Sequence, residues 1–91
     1  MSQSFSKLIK TSGRLYEFNF RRIPGKDLKY HVDVPDARGN RIIFHVSKGE
    51  NDEWVTTDQI PEWVKNAFSD IADVLQQQEQ DRDRSFQRKK I

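Results

Sequence analysis

The side chains with the widest chemical repertoire in this 91-residue sequence are its two histidines, His31 and His45. If Val34 pairs with Ile42 across the loop at 35–41, antiparallel register sets His31 opposite His45, with Asp33 and Glu17 on the same face. A closed metal site asks for four protein ligands at fixed geometry, and two imidazoles do not supply them. General acid–base work needs a pocket that poises a pKa, and no stretch of the sequence implies one. The plainer account is two exposed histidines on a polar face. No Gly-rich phosphate loop, nucleophile elbow or metalloprotease helix is present, and the four glycines read as turn residues. We therefore expect no enzyme, no catalytic residue, no metal site and no cofactor. With no Cys in the sequence, disulfides and thiolate chemistry are excluded as well.

A second chemistry, attraction for polyanions, is written in the distribution of charge. The net charge of +2 hides an asymmetry. Residues 1–49 carry ten Lys/Arg against four Asp/Glu, a net +6; residues 50–78 carry one Lys against seven Asp/Glu, a net −6; residues 79–91 carry five against three, a net +2. Such a dipole steers anionic partners to one side, but it also arises when two packed halves complement each other, and the second account is the simpler. Within the basic half, Arg21, Lys29, His31, Arg41 and His45 are all odd-numbered, and they form the candidate polyanion-binding set. Binders of single strands add exposed aromatics for stacking, whereas every Tyr and Phe of these strands is even-numbered.

That parity comes from the elements that must hold these residues. Tyr16, Phe18, Phe20, Tyr30, Val32, Val34, Ile42, Phe44 and Val46 alternate with residues that are polar except for Ile43, the period of half-buried antiparallel strands. Pro24-Gly25 suits a type II turn, and the segment at 35–40 is a longer loop. The segment at 53–56 predicts a short further strand with Trp54 facing inward, and the segment at 7–11 predicts another before a turn at Ser12-Gly13. The period then changes. Ile60, Trp63, Val64, Ala67, Ile71, Val74 and Leu75 recur at three and four, predicting an amphipathic helix over about 60–78 with Pro61 in its first turn and Thr57 or Asp58 leading in. Phe18, Phe44, Trp63 and Ile71 are expected among the most buried side chains. Residues 79–91, charged and poor in apolar residues, are expected to form a disordered tail.

The expected fold is α+β: one domain over 1–78, an antiparallel meander of four or five strands with one C-terminal helix packed on one face. The order of elements resembles the repeat unit of PUR-type and PC4-type single-stranded nucleic-acid-binding proteins over residues 14–78, in outline only. No residue motif of those families is matched. The resemblance implies pairing with a second copy, hence a homodimer. No apolar run reaches the ~20 residues that cross a bilayer, and the N-terminus lacks the apolar core of a signal peptide, so a cytoplasmic protein without membrane contact is expected. Two functions follow from different classes: a non-enzymatic interaction domain with an unassigned protein partner, or a nucleic-acid-binding protein using the open basic sheet face.

Overall fold

The alternation over residues 14–48 becomes three long strands of a five-stranded antiparallel meander, seen in a computed structural model that describes the backbone of residues 4–89 and the side chains of 4–82. The strands are β1 (Ser4–Thr11), β2 (Arg14–Ile23), β3 (Lys29–Pro35), β4 (Arg41–Lys48) and β5 (Trp54–Val55), in the spatial order β1-β2-β3-β4-β5. Val34 pairs with Ile42, Val32 with Phe44 and His31 with His45, the register expected from the loop length. Ser12 and Gly13 both take positive φ, 52° and 79°, as a type I′ hairpin turn requires, and this tight turn locks β1 to β2 along its whole length. At Pro24-Gly25 the expected type II turn does not form. Gly25 has φ 149°, far from the roughly +80° of that turn, and the chain instead makes an open bend before β3.

Because a strand's side chains alternate, one face of this curled sheet collects the even-numbered residues of β2 to β5 and, across the hairpin, the odd-numbered residues of β1. Phe18, Phe20, Tyr30, Val32, Val34, Phe44 and Val46 on that inner face are buried, with Ile9 and Trp54 nearly so. The cover is helical. Pro61, extended at φ −66° and ψ 161°, stands at the N-cap of α1 (Glu62–Asn66), and no side chain caps this helix. Its carbonyl accepts the N–H groups of Val64 and Lys65, while Glu62 complements the positive end of the helix. The expected single helix is divided: Ala67 closes α1 with φ −90° and ψ −3°, and α2 (Phe68–Lys89) follows. Val64, Ala67, Ile71 and Leu75 fill the inner face from above.

One further expectation is corrected. Trp63 is only half-buried, because it lies at the margin of the core, stacked on Tyr16 with ring centroids 4.3 Å apart. Its neighbour Val64 takes the interior position. α2 runs on to Lys89, through most of the stretch expected as a tail. Residues 76–82 contain neither Gly nor Pro, and side chains three and four apart support the helix: Gln77 donates to Asp81 at 3.1 Å, and Arg82 lies 3.6 Å from Glu79. Residues 90 and 91 of the expected tail lie outside the described residues.

Candidate binding face of the sheet

The helices cover the inner face only. The outer face presents Ser4, Ser6, Leu8 and Lys10 from β1, Leu15, Glu17, Asn19, Arg21 and Ile23 from β2, Lys29, His31 and Asp33 from β3, Arg41, Ile43 and His45 from β4, and Val55 from β5. Register arranges them in rows. One row runs Ser4, Arg21, His31, His45 across four strands, and the next runs Ser6, Asn19, Asp33, Ile43.

Hydrogen bonds tie the second row together. The Ser6 hydroxyl donates to Asn19 Oδ1 at 2.7 Å, the Asn19 amide donates to Asp33 Oδ1 at 2.9 Å, and Arg41 reaches the same oxygen from β4 at 2.7 Å. Three strand-to-strand steps thus converge on one carboxylate. His31 Nδ1 lies 3.8 Å from the other Asp33 oxygen, and the His31 and His45 rings meet edge to face with centroids 5.4 Å apart. Asp58, in the segment leading to α1, closes the far end of the first row. Its Oδ2 accepts the backbone N–H of His45 at 2.7 Å and lies 3.2 Å from His45 Nδ1. The backbone N–H bond, then the His45 ring, holds the Asp58 carboxyl below its usual pKa, and the nearby Lys29 ammonium adds to this. The sequence offered Asp58 as a lead-in to the helix; the fold uses it to pin that segment against β4.

The five expected polyanion-binding residues do share this face, but they are not equivalent. Arg41 is consumed by Asp33, His31 stands beside Asp33, and His45 is held by Asp58. Arg21 and Lys29 are exposed, and among the described residues neither has a carboxylate within ion-pair distance. Two shallow depressions flank the Arg21-His31-His45 row. The first, about 350 Å³, lies among Ser6, Asn19, Arg21, His31 and Asp33 and reaches Phe5 and Phe20 at the sheet's edge; the second, about 320 Å³, lies among Lys29, His45, Ser47 and Asp58. Among the described residues, no group of three or more His, Asp or Glu is placed to hold a metal ion. No helix there is long and apolar enough to cross a membrane.

No known family, curated protein or solved structure matches this chain. The likeness to single-stranded nucleic-acid binders therefore stays one of element order, and any function rests on the face itself.

The apolar residues of that face escaped the sequence reading, which singled out Ile43 alone. Leu8, Leu15, Ile43 and Val55 are 66%, 64%, 53% and 38% exposed, and all four project from the outer side. Parity carried the signal for Leu15 as for Ile43, since both stand at odd positions of strands whose even positions are apolar. On the inner side the reading missed a polar clamp. Glu79 of α2 accepts hydrogen bonds from the Tyr30 hydroxyl at 2.5 Å and from Arg22 Nε at 3.0 Å. Burial pushes the Glu79 carboxyl up, but the bonds from Tyr30 and Arg22 outweigh it and hold the group below its usual range. Tyr30 moves the opposite way, raised by burial and then by Glu79. Gln76, one helical turn earlier, accepts from Trp54 Nε1 at 3.1 Å and from the Lys48 ammonium, which also lies over the Trp54 ring at 4.8 Å.

Proposed function

We propose that this protein is a non-enzymatic interaction domain that engages a protein partner, a second copy included, through the outer face of its sheet. One observation carries the reading: all four exposed large hydrophobics among the described residues lie on the face that no helix covers. Apolar area of that kind gains by removal from water, and the Ser6-Asn19-Asp33-Arg41 ladder beside it offers hydrogen-bonding groups already fixed in place. The cytoplasmic setting expected from the sequence belongs to the same proposal. Photo-crosslinking in cells tests it, with the reactive group placed at Leu15, at Ile43 or, as a control, at Lys65 on the outward side of α1. A discrete adduct from the first two positions and none from Lys65 supports the reading. Equal labelling at all three, or none at the sheet, removes it.

A second reading, binding of single-stranded DNA or RNA, is favoured by Arg21 and Lys29, which stand on adjacent strands with no carboxylate at ion-pair distance among the described residues. Contacts from these two cations and the Arg21-His31-His45 row would release condensed counterions, giving steeply salt-dependent affinity. It ranks second because Phe5, Tyr16, Phe18, Phe20, Tyr30, Phe44 and Trp54 all belong to the inner face, which among the described residues leaves the outer one only the His31 and His45 rings for stacking bases. Fluorescence anisotropy with labelled single strands and duplex at two salt concentrations separates the readings. Binding that disappears in Arg21→Ala/Lys29→Ala would put nucleic acid first.

A further inference from the structure

The backbone sets His31 and His45 against each other more closely than most cross-strand neighbours. The His45 N–H points to Asp58 rather than to β3, so this pair is one of those that exchange no backbone hydrogen bonds. Such pairs bring their Cα atoms to about 4.5 Å, the nearest approach of an antiparallel ladder, and their side chains stand together. Each ring has a carboxylate beside its Nδ1: Asp58 Oδ2 lies 3.2 Å from that of His45, and Asp33 Oδ2 lies 3.8 Å from that of His31. An ionised carboxylate only accepts, so the proton of a neutral His45 sits on Nδ1 and the lone pair on Nε2. Asp33 favours the same tautomer at His31, more weakly over its longer distance. Neither Nε2 makes a hydrogen bond among the described residues.

We propose that His31 and His45 chelate a zinc ion through their Nε2 atoms, with water in the remaining positions. The spacing suits it. With Zn–N bonds of about 2.0–2.1 Å at the tetrahedral angle, the ring centres of a chelating pair stand about 5 Å apart. Here they stand 5.4 Å apart, so ligation asks for rotation of the two rings and not for movement of the strands. A carboxylate behind each imidazole is the device by which zinc sites fix the tautomer and raise the basicity of their histidines. Among the described residues no group of three ligating side chains forms, which makes this an open site rather than a closed structural centre. The His31 and His45 side chains are 22% and 48% exposed, and each lines one of the two depressions, so water and an incoming donor atom both have access. Nitrogen ligands select zinc over magnesium or calcium. Arg21, next in the row, and Lys29 place positive charge nearby, which holds the affinity in the micromolar range. The site stands on its own, whichever partner takes the outer face.

The test is a zinc titration of the full chain, followed by long-range proton–nitrogen NMR of the two imidazoles. Without metal, His45 should show the tautomer protonated at Nδ1. On adding zinc, the Nε2 signals of His31 and His45 should move together and saturate at one ion per chain, while magnesium at the same concentration should move neither. His31→Ala and His45→Ala, both outside the core, should each weaken zinc binding roughly 100-fold, because a lone imidazole loses the effective concentration that the second one supplies. Asp58→Asn should weaken it by about tenfold and shift the His45 tautomer, a signature that a general loosening of the fold would not give. Saturation only at millimolar zinc, a response from one imidazole alone, or parental affinity in either alanine variant would overturn the proposal. So would a zinc-dependent dimer that needs one histidine from each copy, since the pair would then not act as a chelate.

Discussion

The two faces of the sheet each carry a polar network, yet the networks sit in opposite settings. On the inner face Arg22, Tyr30 and Glu79 meet at the margin of the core, and their bonds fasten α2 to β2 and β3. On the outer face Ser6, Asn19, Asp33 and Arg41 are bonded just as closely but hold down no other element. Removing an inner partner leaves a half-buried group unsatisfied, whereas water can replace an outer one. The inner network is thus part of what makes the fold stable, and the outer one is order that the fold does not require.

The sharpest way to break this contrast is to compare two neighbours in β4. Phe44→Ala, on the inner face, should cost about 3–5 kcal/mol, while Ile43→Ala, on the outer face, should stay within about 0.5 kcal/mol. Chemical denaturation measures both, and similar losses at the two positions would deny that the faces differ. The clamp comes next. Glu79→Ala should cost about 1–3 kcal/mol, since it strips partners from Tyr30 and Arg22 together. Its pH dependence has a definite sign: the folded carboxyl sits below its unfolded value of about 4.3, so its stabilisation is complete above that pH and is lost as pH falls through the folded value. Glu79→Gln should therefore flatten the acid limb of a stability–pH curve, and an unchanged limb would show the clamp to be idle.

The difference between the faces also explains which parts were legible in the residues alone. Strand parity and the length of the loop between Val34 and Ile42 were enough to seat His31 opposite His45. The clamp was legible in principle. Arg22 is a charged residue at an even, inner position of β2, and Glu79 follows Ile71 and Leu75 at intervals of four, so a cation on one apolar face had its counterpart on the other. It was lost because the stretch after Gln76 was read by composition rather than by helical phase. Asp58 left no such trace, as its bond to the His45 backbone depends on how the segment before α1 folds back over β4.

Smaller effects sharpen the comparison. Arg41→Ala removes an exposed ion pair and should change stability by at most about 1 kcal/mol. A melting-point drop as large as that of Glu79→Ala would place the outer ladder among the supports of the fold. The smallest expected signal is local. Because its bonds to His45 lower the Asp58 pKa, the His45 amide should stay protected from exchange down through the ordinary carboxylate range near pH 3.9 and open only below it. Loss of protection above that range would show that the bond does not persist in solution.

The order of the chain has a consequence for how the protein is made. All five strands precede the first residue of α1, so the sheet is complete in sequence before any of its cover has been synthesised. Val64, Ala67, Ile71 and Leu75 arrive only over the following twenty or so residues, on the order of seconds at the ~5–20 residues per second of translation. For that interval the aromatic strand residues exist without the helical residues that cover them, the kind of apolar segment that chaperones bind. Slowing translation between Val55 and Leu75 should lengthen that exposure, and speeding it should shorten the time in which two nascent sheets can aggregate.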